Sequence, residues 1–128
     1  MASEQASVSA NHSKLPVREV KVEQYIDRFL DTVCDTRRRA IVELLAISSI
    51  EEETPILEMR SGDIARAIGL SAATTSEHLR QLAQTGLLTS RRQGNTVYYS
   101  LCNHKLVQAF RDLLEALDTD YRNAGPQS

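Results

Sequence analysis

Apolar residues recur at three- and four-residue spacing in five stretches of the chain, a pattern typical of helices with one buried face. The first predicted helix runs from about Arg18 to Val33 and the last from about Asn103 to Tyr121. Side chains that can accept a hydrogen bond from the first turn of a helix mark the starts of the other three, at Asp35 or Thr36, Ser61 and Ser71. The sequence therefore predicts a mainly helical chain.

Two β-compatible runs, Leu87 to Arg92 and Thr96 to Leu101, follow the fourth helix. Glycine and asparagine between them tolerate positive φ, which predicts a tight hairpin. Ile56 to Met59 alternates weakly and predicts a short strand, while the acidic run Ser48 to Thr54 is expected to form a surface loop ended by Pro55. The order helix, helix, strand, helix, helix, strand, strand, helix is mainly α with a small β-hairpin. It is that of a winged helix-turn-helix.

The fourth predicted helix has two contrasting faces. Thr75, Leu79, Leu82 and Gly86 fall on one stripe and are expected to pack inward. The opposite stripe carries small and hydrogen-bonding residues, namely Ala72, Ala73, Ser76, Glu77 and Arg80. A helix that reads bases in a DNA groove needs such a face, because bulky side chains would hold its backbone away from the base edges.

Length and charge refine this interpretation. The chain has 128 residues and a net charge of −2. We expect a disordered tail over residues 1–16, one domain over 17–122 and a flexible tail over 123–128. Between Arg60 and Asn95 five arginines face two carboxylates, a local excess of +3 on an otherwise acidic chain. A positive central patch is consistent with a protein that touches DNA with one face, although scattered surface charge would produce a similar excess.

The first sixteen residues are polar and lack the apolar core of a signal peptide. Nothing approaches the roughly 18 consecutive apolar residues of a membrane span. The expected location is therefore the cytoplasm, where Cys34 and Cys102 would be free thiols.

The run Asp35 to Leu45 (DTRRRAIVELL) resembles the opening of the second helix in the ArsR/SmtB family of bacterial repressors. The segment Gly69 to Leu101 (GLSAATTSEHLRQLAQTGLLTSRRQGNTVYYSL) resembles the recognition helix and wing of that family nearly position for position. The resemblance covers about Tyr25 to Tyr121. It implies a homodimer built from the first and last helices, which binds a palindromic operator in double-stranded DNA and releases it when an effector binds.

The same resemblance implies two places where the family holds metal. This chain has Arg60 and Gly62 where the family's paired cysteines align. Along the last helix the family's ligands align with Asn103, Lys105, Ala116 and Thr119. Lysine and alanine cannot replace an imidazole ligand, so neither a metal nor another cofactor is expected.

Both terminal helices have apolar stripes wider than one small core can cover, which favours a homodimer. The expected interface residues are Tyr25, Phe29, Val33, Leu106, Phe110, Leu113, Leu117 and Tyr121. Packing of the two helices on each other within one monomer is the alternative.

The expected DNA contacts are Ser71, Ala72, Ala73, Thr74, Ser76, Glu77, Arg80, Arg91, Arg92, Gln93 and Asn95. Strand alternation predicts that only one of the two wing arginines, Arg91 or Arg92, faces DNA squarely. The alternative is that both are ordinary charges on an edge strand. Glu77 either accepts a hydrogen bond from cytosine N4 or pairs with Arg80 on the surface. His78 follows the inward stripe and is expected to bond within the domain.

These observations predict a dimeric, sequence-specific transcriptional regulator, most simply a repressor, without enzymatic activity. The sequence shows no nucleophile–base pair, phosphate-binding glycine loop or carboxylate dyad. One alternative is a redox, persulfide or metal sensor acting through Cys34 and Cys102, with His104 as a further metal ligand. The other is a winged-helix module that binds protein instead of DNA.

Overall fold

The computed structural model describes residues 15–51 and 58–125. The disordered tail predicted for 1–16 lies almost wholly outside these ranges, as do the end of the predicted acidic loop, the start of the first predicted strand and residues 126–128. Five helices and three strands occupy the described ranges. They are α1 (Val20–Val33), α2 (Thr36–Glu51), β1 (Met59–Arg60), α3 (Ser61–Ile68), α4 (Ala72–Gln84), β2 (Leu88–Gln93), β3 (Thr96–Leu101) and α5 (His104–Ala124).

The predicted order of elements is confirmed. The three strands form one antiparallel sheet in the order β1-β3-β2. Leu88 lies opposite Leu101 and Gln93 opposite Thr96, so β2 and β3 form a regular hairpin, which we call the wing. Met59 pairs with Tyr99, which ties the short strand before α3 to the wing.

The core lies where α2, α3 and α4 meet. Its completely buried apolar side chains are Ile41, Val42, Leu45, Ile64, Leu79, Leu82 and Leu87. Val33 of α1 and Phe110 of α5 join the same cluster. Because α4 contributes its inward stripe to this core, its opposite face is fixed toward the outside.

Three predicted boundaries were wrong. Helix α2 continues through Ser48 to Glu51, where a loop was expected, since no proline or glycine interrupts it there. Ser61 is the first residue of α3 rather than its cap, because Arg60 takes the capping position. Helix α5 continues three residues past its predicted end at about Tyr121, to Ala124, and stops at Gly125, which has a φ of 78°.

Asp35 caps α2, as one of the two predicted alternatives proposed. Its Oδ1 accepts hydrogen bonds from the backbone N–H groups of Arg37 (2.8 Å) and Arg38 (3.2 Å). Burial alone raises the pKa of Asp35, but these two hydrogen bonds and the charge of Arg38 outweigh this effect. The pKa therefore lies below its ordinary value of 3.8.

Replacing Asp35 by alanine should lower the free energy of unfolding by about 1 kcal/mol at pH 7, the usual cost of losing such a cap. Asp35→Asn should retain most of this stability, because asparagine also caps helices. A carboxyl group whose pKa is lowered by folding stabilises the fold at pH above its unfolded-state pKa. This stabilisation is lost as the pH falls through the folded-state pKa, so the difference in free energy of unfolding between wild type and Asp35→Ala should shrink below pH 4. Urea denaturation at pH 7 and pH 3 measures this, and an equal difference at both would contradict it.

Candidate nucleic-acid interface

The turn between α3 and α4 places the start of α4 at the surface. Gly69 adopts the left-handed conformation with a φ of 73°, which glycine accepts without strain, and its N–H donates to the carbonyl of Ala65. Ser71 then caps α4, because its Oγ accepts a hydrogen bond from the N–H of Thr74 at 3.1 Å. The predicted cap is confirmed, and the hydrogen bonds of Ser71 fix the first turn of α4.

The two faces of α4 are as predicted, except that Gly86, expected on the inward stripe, lies in the turn after the helix ends at Gln84. Thr75, Leu79 and Leu82 are completely buried. The exposed residues are Ala72, Ala73, Thr74, Ser76, Glu77 and Arg80. Small and polar side chains therefore cover the outer surface of α4 along three turns, a surface that suits close approach to a DNA groove.

His78 holds α4 against the rest of the domain, as expected from its place beside the inward stripe. It is 8% exposed, and its Nδ1 accepts a hydrogen bond from Nε of Arg38 at 3.2 Å. Arg38 also donates from Nη1 to the carbonyl of Thr32 in α1, at 3.1 Å. The role of Arg38 was not predicted, since it depends on a contact forty residues away; its place in the basic run Arg37–Arg39 was the only signal.

The two wing arginines point in different directions. Arg91 lies opposite Tyr98, with its guanidinium carbon 4.8 Å from the ring centroid, and donates to both carboxylate oxygens of Glu58 at 2.8 and 2.9 Å. This bonding holds the pKa of the Glu58 carboxyl below its ordinary value. Arg92 is exposed and makes no hydrogen bond or ion pair with any residue that the structure describes. It is thus the wing arginine left available to a partner.

Gln93, Gly94 and Asn95 form the tip of the wing, and the first and last of them belong to the predicted contact set. Gly94 has a φ of 63°, as a tight hairpin requires. Gln93 and Asn95 flank it and are both exposed. Gln93 accepts a hydrogen bond from Nη1 of Arg91 at 3.0 Å, whereas Asn95 lies at the exposed end of the hairpin beside α3.

Glu77 pairs with Arg80, one of its two predicted roles. Arg80 donates to the Glu77 carboxylate from Nε at 3.3 Å and from Nη2 at 2.5 Å, and Gln81 donates at 3.0 Å. The hydrogen bonds from Arg80 and Gln81 lower the pKa of Glu77. The contact of Glu77 with a base stays a prediction.

Both cysteines are free thiols, as predicted. Cys34 is exposed at the C-terminal end of α1. Cys102 is half-buried just before α5 and donates to the carbonyl of Gly86 at 3.1 Å; burial raises the pKa of its thiol. Because the thiolate is the reactive form, burial makes Cys102 less reactive. Across residues 15–51 and 58–125, no group of three or more His, Cys, Asp or Glu side chains could hold a metal ion.

The predicted dimer residues divide into two sets. Val33 and Phe110 are core residues of a single chain and not exposed interface residues, a correction that follows from the packing of α1 on α5. Phe29 contacts Phe110 edge to face, at 6.1 Å between ring centroids, and Leu106 is also partly covered. Large apolar side chains remain exposed at Tyr25, Leu113, Leu117 and Tyr121. The two helices therefore pack together within one chain and still leave an apolar surface uncovered.

No helix in the described part of the chain is long and apolar enough to cross a membrane.

Comparison with known proteins agrees with this geometry. The family described as "Bacterial regulatory protein, arsR family" matches residues 35–90. Nodulation protein NolR of Rhizobium meliloti is 35% identical over 56% of this chain and 52% of its own length. Transcriptional repressor SdpR of Bacillus subtilis is 33% identical over 54% of this chain and 67% of its own.

Solved structures show the same fold. The solution structure of a homodimeric winged helix-turn-helix DNA-binding domain from Mycobacterium bovis superimposes with a TM-score of 0.67 at 23% identity, covering 88% of this chain and 95% of that domain. The chain spans about half to two thirds of the length of the curated relatives it matches. SdpR is named as a transcriptional repressor, and CadC of Listeria innocua, 34% identical over 64% of this chain and 62% of its own length, as a transcriptional regulatory protein; neither is named as an enzyme. By profile, sequence identity and fold, the chain belongs to the ArsR family of bacterial regulatory proteins.

Proposed function

We propose that the protein is a homodimeric transcriptional repressor that binds a palindromic operator through α4 and the wing. One observation carries this proposal: α4 begins with a capped turn whose exposed side chains are small or polar, and it lies next to a hairpin whose Arg92 has no partner among the described residues. The proposed DNA contacts are Ser71, Ala72, Ala73, Thr74, Ser76, Glu77, Arg80, Arg91, Arg92, Gln93 and Asn95. Those on α4 would read the major groove, and those on the wing would contact phosphates or the minor groove.

The exposed apolar residues of α1 and α5 support the dimer, with a second copy of the chain as the partner. Burial of such side chains is worth about 25 cal/mol for each Å² removed from water, which favours self-association. Two copies related by a two-fold axis would present two α4 helices about one turn of DNA (~34 Å) apart, and this spacing is the reason for a palindromic site.

The experiment is a selection of genomic DNA fragments by the purified protein at physiological salt, with the molar mass measured by light scattering. We expect a mass of two chains and retained fragments that share an inverted repeat. Retention without any shared sequence would overturn the proposal and favour the protein-interaction module.

Replacing Arg92 by alanine should weaken binding to every DNA sequence alike. Loss of one phosphate contact should flatten the plot of log affinity against log salt concentration by about 0.9 per subunit. Lys105→Ala is the control, because it removes one exposed charge next to the other end of β3, away from the wing tip. Fluorescence anisotropy over a salt series measures both, and a loss confined to one sequence would show that Arg92 reads a base.

A second proposal concerns the signal. Cys34 is an exposed thiol two residues from Thr32, whose carbonyl binds Arg38, and Arg38 in turn holds His78 of α4. A modification of Cys34, alone or with Cys102, would therefore act at the point where α1 is tied to α4. Operator affinity should fall on oxidation in the wild type and not in the Cys34→Ser variant; an equal fall in both would exclude this mechanism.

A further inference from the structure

Most arginines on and near the proposed DNA-binding surface form ion pairs with carboxylates of the same chain. Arg80 pairs with Glu77 and Arg91 with Glu58, while Asp63 bonds two further arginines. The five arginines between residues 60 and 95 are Arg60 and Arg66, which lie outside the proposed contact set, and Arg80, Arg91 and Arg92, which belong to it. Only the last of these has no partner among the residues that the structure describes. Four of the five guanidinium groups are thus engaged by carboxylates of the same chain.

The pairs on α4 and the wing share one geometry. Glu77 accepts from Nε and Nη2 of Arg80, at 3.3 and 2.5 Å, and Glu58 accepts from Nε and Nη2 of Arg91, at 2.9 and 2.8 Å. Both carboxylates therefore bind the guanidinium edge formed by Nε and Nη2. That edge is one with which arginine binds a phosphate or a guanine in two-point fashion. Because one edge cannot hold both partners, each carboxylate competes with DNA for its arginine.

We propose that Glu77 and Glu58 are specificity-determining residues that compete with DNA phosphate for Arg80 and Arg91, respectively. On arbitrary DNA the two arginines stay paired, and Arg92 supplies the main attraction. On the operator, base contacts of α4 add enough binding energy for phosphates to displace the carboxylates. This inference rests on the proposed DNA-binding function and names the device that sets its selectivity.

The strength of these pairs suits such an exchange. Both arginines are half exposed, as is Glu77, and exposed ion pairs contribute little net stability because water competes with them. A buried pair would resist displacement even by the operator. Hydrogen bonds from the arginines lower the pKa of both glutamates, so both remain ionised, and able to compete, at neutral pH.

The test is a pair of double-mutant cycles on the full chain, with a random-sequence duplex and the selected operator over a series of KCl concentrations. Glu77→Gln and Glu58→Gln are each made alone and together with Arg80→Gln or Arg91→Gln, respectively. Each glutamine alone should steepen the salt dependence on random DNA by about 0.9 per subunit, which for a dimer corresponds to a loss of affinity between 50 and 200 mM salt that is larger by about twelvefold. It should also lower the ratio of operator to random-sequence affinity.

With the partner arginine already replaced, the same glutamine should have no such effect. An equal effect in both backgrounds would overturn the proposal, since the carboxylate would then act only as a fixed negative charge. Asp118→Asn is the matched control, because it frees Arg122 from an exposed ion pair on α5. If Asp118→Asn steepened the salt dependence on random DNA as much as Glu77→Gln does, the proposal would also be overturned.

The two levels of the proposal fail differently. A wild-type protein that binds no DNA at any salt concentration overturns the proposed function and this inference with it. Selective binding by the wild type, with uncoupled glutamate and arginine effects, overturns this inference alone. Thermal unfolding of every variant tests whether the fold is intact, which we expect for substitutions at the surface.

Discussion

Replacing Leu113 and Leu117 together by glutamate is expected to convert the proposed dimer to a monomer and to lower operator affinity by about a hundredfold or more. Leu113 is 51% exposed and Leu117 57% exposed in the single chain, so two glutamates there should leave the monomer folded. In the dimer they would place charges in an apolar interface without partners. Two linked α4 helices bind a palindrome more tightly than one by a factor of about 10² to 10⁴, and the variant loses that gain.

The matched control is Thr119→Glu with Asn123→Glu. These residues have the same four-residue spacing on α5, are exposed, and lie about 200° around the helix from Leu117 and Tyr121. The control adds the same charge and should remain dimeric. Light scattering and anisotropy report mass and affinity, and a leucine variant that stays dimeric would show that this stripe is not the interface.

Replacing Ala73 by aspartate should lower affinity for DNA by about a hundredfold without destabilising the protein, because like charges facing each other across an interface cost several kcal/mol. Ala73 is exposed in the first turn of α4. A negative charge there interacts favourably with the helix dipole and should stabilise the fold by about 0.3–1 kcal/mol. Stability and DNA affinity should therefore change in opposite directions.

Ala73→Asn separates charge from size, because asparagine has nearly the same shape as aspartate. It should lose much less affinity for random DNA than Ala73→Asp. Thermal unfolding and anisotropy on random duplexes measure the two effects. Equal losses for Asn and Asp would mean that size, not repulsion by phosphate, limits binding at this position; no loss for either would place α4 outside the interface.

Local patterns predicted the fold well. The spacing of Thr75, Leu79 and Leu82 identified the buried face of α4, and glycine and serine at its start identified the turn before it. Such signals depend on neighbouring residues and on the helical period, which the sequence displays directly.

What the sequence did not predict depends on contacts between distant residues. Arg91 and Glu58 are 33 positions apart, and Arg38 and His78 are 40 apart, so no local pattern reveals either pair. The apolar stripes of α1 and α5 were visible, but the division between Phe110 in the core and Leu117 at the surface required the packed structure. The sequence therefore predicted the exposed face of α4 and, as one alternative, the pair of Glu77 with Arg80, but not the pair of Arg91 with Glu58.

The most direct test of the central claim is an NMR titration of the isotope-labelled protein with an operator duplex obtained from the genomic selection. We predict that amide shifts will concentrate in two segments, Ser71–Arg80 at the start of α4 and Arg91–Thr96 at the wing tip. Shifts absent from both segments, or confined to α5, would contradict the account.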